Sequence, residues 1–358
     1  MRRRSKKVMC GDVAIGGDAP VTIQSMTNTD TRDINATVGQ IRRLEEAGCQ
    51  IIRCAVPDME AASAIAKIKK SIRIPLVADI HFDHRLALEA IRSGADKIRI
   101  NPGNMADRDH VLKIVREADV RGIPIRIGVN SGSLENDILR KYGSVTAEGL
   151  AESALRNIRT IEDMDFDNIV VSLKSPHVML NYDAHMILAD KMPYPLHIGI
   201  TEAGTVERGK VKSAVGIGAL LSAGIGDTVR VSLTGDPLNE VLFAKEILQA
   251  VGLREEGIEL ISCPTCGRCR VDLLAIVSDI DQELARLNVR EHLNVAVMGC
   301  EVNGPGEARD ADIGLAFGKG KAIIFKKGSI LKTVAVENAK YEFIAAIKEL
   351  LNGTVQHP

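Results

Sequence analysis

Leu76-Val77-Ala78-Asp79-Ile80-His81 and, beyond a helical stretch that closes on Gly94-Ala95-Asp96, Lys97-Ile98-Arg99-Ile100-Asn101 decide the fold of this chain. Each run is short, apolar and β-rich, and each finishes on polar residues. Side chains alternate across a strand, so Asp79 and His81 share one face, as do Arg99 and Asn101. Two strands separated by a helix pair in parallel.

The same unit recurs between residue 20 and residue 250. The strand-like runs are Val21–Gln24, Ile51–Cys54, Leu76–Ile80, Lys97–Ile100, Ile125–Val129, Ile169–Leu173, Leu196–Ile200 and Thr228–Ser232. Eight such units specify a (β/α)8 TIM barrel. A doubly wound sheet usually has fewer strands and often a Gly-rich phosphate loop after the first. Here the first strand leads into Ser25-Met26-Thr27-Asn28-Thr29 instead.

In a barrel the C-terminal strand ends build the site. Those ends carry Gln24 and Ser25, Arg53, Asp79 and His81, Arg99 and Asn101, and Arg126 and Asn130. The later ends carry Ser172 and Lys174, His197 with Thr201 and Glu202, and Arg230 with Ser232. Arginine inside an apolar strand is costly unless it meets an anion. Arg53, Arg99, Arg126, Arg230 and Lys174 face only Asp79 and Glu202 as evident carboxylates. One Arg–Asp pair would be plain structure, but this surplus calls for a polyanion, most simply a diphosphate. Asn101-Pro102-Gly103-Asn104 and Asn130-Ser131-Gly132-Ser133 are turns that offer backbone N–H groups.

After Leu253 the pattern changes, which divides the chain into residues 1–253, the substrate barrel, and 254–358, a smaller α+β domain. Its expected elements are strands Ile258–Ile261 and Asn294–Met298, a helix from Leu273 to Leu287, strands Ile313–Ala316 and Ala322–Phe325, and a helix Glu337–Leu351. It contains Cys263-Pro264-Thr265-Cys266-Gly267-Arg268-Cys269 and, later, Cys300 in a Gly/Pro loop. That spacing signals a metal or cluster centre. Zinc would want a fourth Cys or a His, and His292 stands before its strand, too early to serve. Cys269 would complete an all-thiolate [4Fe–4S] centre, whereas Glu307 would leave one iron exchangeable. Cys10, Cys49 and Cys54 are dispersed and read as small buried hydrophobes.

Composition narrows the function. A net charge of -1 and ten aromatic residues (no Trp, four Tyr, six Phe) argue against nucleic-acid binding. Unpaired cysteines suit a reducing compartment. The basic start, Arg2-Arg3-Arg4-Ser5-Lys6-Lys7, lacks a following apolar stretch, and no run is long enough to span a membrane. The expectation is a cytoplasmic enzyme.

The sequence resembles the bacterial 4-hydroxy-3-methylbut-2-enyl diphosphate synthases of the non-mevalonate isoprenoid pathway, in their short two-domain form. The resemblance runs through Gln24-Ser25-Met26-Thr27, Ala78-Asp79-Ile80-His81-Phe82, Arg99 to Asn104, Arg126 to Ser133, His197 to Gly204, Cys263 to Arg268 and Met298-Gly299-Cys300. It implies reductive ring opening and dehydration of 2-C-methyl-D-erythritol 2,4-cyclodiphosphate, with electrons delivered by flavodoxin or ferredoxin through a [4Fe–4S] cluster. It implies Cys263, Cys266, Cys300 and Glu307 as cluster ligands. It places Arg53, Arg99, Arg126, Asn130 and Lys174 on the diphosphate, with Asp79, His81 and Asn101 nearby, and Glu202 as the acid. It also implies a head-to-tail homodimer. Cys269 departs from the family motif and stands as a competitor for the cluster or a bystander. The rival reading from another class is a non-redox barrel synthase of the pterin type with a structural zinc domain.

Overall fold

The computed structural model describes residues 2–105, 107–287, 289, 292–300 and 308–354. The chain divides into two compact units, Met1–Leu253 and Arg254–Pro358.

The first unit opens with a hairpin that the sequence reading did not foresee, since it began the organised chain at residue 20. Strands β1 (Val8–Cys10) and β2 (Val13–Ile15) pair antiparallel across Gly11-Asp12. Gly11 takes a φ of +56°, the positive φ that a two-residue hairpin turn requires. The hairpin's Val8, Cys10 and Ile15 pack on Ile51, Val77 and Val170 at the N-terminal ends of barrel strands.

The barrel strands are β3 (Thr22–Met26), β4 (Ile51–Ala55), β5 (Leu76–Asp79), β6 (Lys97–Ile100), β7 (Ile125–Asn130), β8 (Ile169–Lys174), β9 (His197–Ile198) and β10 (Thr228–Val229). Their ladder runs β8-β7-β6-β5-β4-β3-β10-β9, and all its pairings are parallel. The bridge Val171↔Leu196 brings β8 to the start of β9, so the ring closes. Between the strands run α1 (Ile34–Glu46), α2 (Met59–Lys69), α3 (His84–Arg92), α4 (Arg108–Val120), α5 (Asn136–Tyr142), α6 (Ala147–Glu162), α7 (Val178–Ala189), α8 (Val206–Ser222) and α9 (Pro237–Ala250).

Short polar residues start these helices. Asp33, Asp58, Asp83, Asp107, Thr146 and Asp236 each accept a backbone N–H of the first turn, worth about 1 kcal/mol apiece. Each cap fixes where a βα loop ends, and hence where the site residues stand.

The strand residues that point outward are apolar and fully buried, among them Ile52, Cys54, Leu76, Ala78, Ile98, Ile100, Ile125 and Ile127. They pack on helix residues such as Ile41, Leu44, Ile65, Ile68 and Ile114. Each fully buried Ile or Leu contributes roughly 1.5–3 kcal/mol relative to exposure. Cys49 and Cys54 belong to this core and Cys10 to the hairpin's, as the expectation of small buried hydrophobes had it.

Two strands are shorter than the sequence suggests. The runs Leu196–Ile200 and Thr228–Ser232 narrow to two residues each. The backbones crowd at Gly199, where a Cβ would lie 2.3 Å from the Arg230 carbonyl oxygen, and the regular ladder stops there.

The second unit is a five-stranded mixed sheet, β11 (Gly257–Ser262), β12 (His292–Met298), β13 (Ile313–Phe317), β14 (Lys321–Lys326) and β15 (Ser329–Ala335), in that order. The first three run parallel and the last three antiparallel. Helices α10 (Leu273–Ala285) and α11 (Ala339–Thr354) cover one face through Ile280, Leu284, Phe343 and Ile347. β15 is absent from the sequence reading; its mostly exposed side chains lack the alternation that marks a half-buried strand. No helix among the described residues is long and apolar enough to cross a membrane.

Candidate functional site

The residues that alternate with the apolar wall point into the barrel, and they are polar. Arg53, Asp79, Arg99, Asn101, Arg126 and Lys174 are all buried. Asn130 is half-buried, while His81 and Glu202 are exposed at the mouth.

Asp79 is the hub. Its Oδ1 accepts from Arg99 Nη1 at 3.2 Å, and its Oδ2 lies 3.9 Å from Arg53 Nε and 3.6 Å from His81 Nε2. Arg99 Nη1 also reaches the His81 ring at 3.3 Å. Burial alone would raise the Asp79 carboxyl. Arg53, the His81 hydrogen bond, Arg99 and Arg126 outweigh it and hold the group well below the usual carboxylate range. One carboxylate thus serves several cations and satisfies none fully.

Arg126 shows the deficit most plainly. It is 1% exposed, and its Nε and Nη1 have no hydrogen-bond partner among the described residues. Burial, then the like charges of Arg53 and Arg99, push its guanidinium well down from the ordinary range. Burial, with Arg230 and Arg53, pushes the Lys174 ammonium well down too. Arg99 Nε and Asn101 Oδ1 are also unpartnered. Buried polar atoms are normally paired, so this tier holds unmet donors of the kind that anionic oxygens satisfy.

Four residues that the sequence reading did not single out complete the picture. Glu240, buried in the first turn of α9, lies 3.4 Å from Arg230 and accepts the Leu233 N–H at 3.0 Å. Arg230 thus has a carboxylate of its own through Nη2, while its Nε stays without a hydrogen-bond partner among the described residues. Lys97 lies one turn of the ladder below Arg99 and is 0% exposed. Gly128 shares the inner face of β7 with Arg126 and Asn130, and a Cβ there would lie 2.5 Å from Arg99 Nε. Gly199 leaves room likewise: its Cβ position is 3.5 Å from Lys174 Nζ. Alternation could have exposed Lys97 and the glycines. Nothing local in the sequence marks Glu240, which reaches the barrel from a helix.

At the mouth, Asn130, Ser131, Gly132 and Ser133 line a cleft of about 560 Å³ with His177, Thr201 and Glu202. Glu202 has a φ of +51°, an uncommon and costly conformation for a non-glycine residue. Burial, then Arg126 and Lys174, keep His197 in its neutral form, so it adds no charge to the interior.

In the second unit, β11 and β12 run parallel with Ser262 level with Val297. Cys263 and Gly299-Cys300 therefore leave the sheet at one end, and the Gly299 N–H donates to Cys263 Sγ at 3.2 Å. Cys266 is exposed in the turn. Cys269 lies at the same place: its thiol donates to the Val271 carbonyl at 3.3 Å, and its sulfur lies 2.6 Å from where a Gly299 Cβ would be, beside the Cys263 and Cys300 turns. Glu307 lies outside the described residues, among which no three His, Cys, Asp or Glu side chains form a ready metal group. The donor set itself, thiolates at the ends of adjacent strands, suits a soft metal centre. His292 opens β12 rather than preceding it, but it stands at the end opposite the cysteines, level with Gly257.

The GcpE TIM-barrel domain matches residues 5–245 and the GcpE protein C-terminal domain matches residues 259–349. The chain is 55% identical over 349 residues to the 4-hydroxy-3-methylbut-2-en-1-yl diphosphate synthase (flavodoxin) of Ruminiclostridium cellulolyticum, covering 98% of each chain. It is 51% identical over 351 residues to the protein of that name from Geobacter sulfurreducens, covering 98% of this chain and 99% of that one. Among solved structures, the dihydropteroate synthase of Stenotrophomonas maltophilia superposes at a TM-score of 0.52 and 15% identity, covering 69% of this chain and 98% of its own. That of Yersinia pestis gives 0.50 and 12%, over 69% and 97%. This likeness is one of fold alone.

Proposed function

The chain belongs to the GcpE family, and on that premise we propose how its two units divide the work of an iron–sulfur oxidoreductase. The reaction reductively opens 2-C-methyl-D-erythritol 2,4-cyclodiphosphate to 4-hydroxy-3-methylbut-2-en-1-yl diphosphate. Two electrons and one proton enter, the bond from ring carbon to diphosphate oxygen breaks, and one water leaves. The pterin-type alternative is not favoured, because the relatives that match nearly the whole chain carry the reductive enzyme's name.

The barrel interior binds the diphosphate. The observation that carries this is the tier of Arg53, Arg99, Arg126 and Lys174 around one carboxylate, with Arg126 unpartnered at 1% exposure. Asp79 orients Arg53 and Arg99, and His81 closes that pair at the mouth. Asn101 and Asn130 complete the polar wall. Glu202, across the cleft from Asn130, holds the proton for the departing hydroxyl oxygen.

Cys263, Cys266, Cys300 and Glu307 would hold a [4Fe–4S] cluster, which when bound supplies electrons one at a time from flavodoxin or ferredoxin. Glu307 is preferred over Cys269 as fourth ligand because a carboxylate would leave one iron exchangeable for a substrate oxygen, although the Cys269 sulfur stands beside Gly299. The assembly in this reading is a cytoplasmic head-to-tail homodimer, each cluster unit serving the barrel of the second copy.

The test is anaerobic. Wild type should carry iron and sulfide, show a broad visible band that dithionite bleaches, and turn over the cyclic diphosphate. Arg126→Ala should keep the band and lose substrate affinity by about 2–5 kcal/mol in calorimetry. Unchanged affinity would remove Arg126 from the site. Mixing Arg126→Ala with Cys263→Ser chains should restore activity only if the site is shared between copies.

A further inference from the structure

The inner face of β6 carries a second cation below Arg99. Lys97 is 0% exposed, and its Nζ has no hydrogen-bond partner among the described residues. The ladder sets it level with Val77, and Val77 level with Arg53. Beneath it the hairpin β1–β2 packs on Val77 and Val170 at the barrel floor.

The titratable and charged groups around it come from several elements. Cys10, on the hairpin, is a neutral thiol, pushed up to about 11 chiefly by burial. Asp96, in the turn before β6, is already engaged: its Oδ2 lies 2.7 Å from Lys69 Nζ and accepts the Leu76 N–H at 2.6 Å. Arg126 on β7 and Arg53 on β4 carry like charge. His197 on β9 is neutral. No carboxylate hydrogen-bonds Lys97 Nζ among the described residues. Burial chiefly lowers its ammonium to about 8, with Arg126 and Arg53 adding to it against the pull of Asp96. An unpaired buried ammonium sheds its proton and regains it when a negative charge arrives.

We propose that binding of the cyclic diphosphate is coupled to proton uptake at Lys97, the buried unpartnered amine beneath the arginine tier. This rests on placing the diphosphate in the barrel interior. The step is –NH2 + H⁺ → –NH3⁺ with the proton drawn from solvent; nothing is oxidised or reduced. Ring opening releases a diphosphate with one more negative charge than the cyclic form, so the charged amine also matches the product.

The cyclic diphosphate suits the test because neither phosphoryl group has an ionisation near neutrality. Calorimetry in two buffers of different ionisation enthalpy counts the protons taken up. For wild type, uptake should approach one proton per site at about pH 9, and affinity should fall about tenfold per pH unit above about pH 8. Lys97→Met should bind more weakly and take up about one proton fewer than wild type, whatever Lys174 contributes to both. Lys97→Arg, permanently charged, should bind with about one proton less uptake than wild type and serves if Lys97→Met binds nothing; thermal melting checks that each variant folds. Wild-type binding without uptake, or a proton uptake in either variant equal to that of wild type, overturns the proposal. A wild type that binds no cyclic diphosphate overturns the site reading instead.

Discussion

The interiors of the two units are built from the same alternation of side chains and come out opposite. Inside the second unit, β12 and β13 send Val295, Val297, Leu315 and Phe317 against α10 and α11, an ordinary apolar core. Inside the barrel, the inward residues of β4 to β8 include Arg53, Asp79, Lys97, Arg99, Arg126 and Lys174. A barrel normally fills this space with layers of branched apolar side chains. Here the apolar work falls to the outer wall between strands and helices, and the middle holds buried charges with too few partners, which burdens the fold.

The largest effect expected at the mouth is on rate. Glu202→Gln should keep diphosphate binding and lose roughly 10²–10⁴-fold in turnover, as a lost general acid does. Steady-state kinetics at several pH values checks it; near-normal turnover would make Glu202 a structural residue.

Adjacent residues of β7 give the sharpest version of the contrast. Ile127 points out into the core and Arg126 points in. Ile127→Ala should cost about 2–5 kcal/mol of stability. Arg126→Met should leave the unliganded barrel unchanged or more stable, by up to about 4 kcal/mol, because an unpaired buried charge is removed. Urea unfolding of both variants tests this, and an Arg126→Met as damaged as Ile127→Ala would mean that the interior is a core after all.

Gly128→Ala comes next. The added methyl meets Arg99 Nε at 2.5 Å and must displace the guanidinium from Asp79. A loss of about 1–3 kcal/mol in diphosphate affinity is expected from the lost charge-assisted bond, with the visible spectrum unchanged. The smallest effect belongs to the second unit. Cys269→Ser should leave iron content and electron paramagnetic resonance nearly intact, whereas Glu307→Ala should lose one iron; the reverse pattern would make Cys269 the ligand.

Much of this was legible beforehand. The βα repeat, the inward arginines and the C-x-x-C turn are local patterns, because strand alternation and loop chemistry act over a few residues. The shortened β9 and β10 were not, since the crowding at Gly199 comes from Arg230 on another strand; the floor hairpin and β15 were not either, since β1 and β2 are too short and β15 too exposed to show a period.

The sequence by itself determined the parallel ring and the sign of its interior charge: helices between β-rich runs force parallel pairing, and alternation sends Arg53, Arg99 and Arg126 to one face. Which of those charges are spent was decided only in three dimensions. Glu240 meets Arg230 from α9, far from the strand in sequence, and Asp96 is taken by Lys69 before Lys97 can use it. Coulomb interactions and hydrogen bonds depend on distance in space, so pairing is settled by the closed barrel, and with it which cations remain for a ligand.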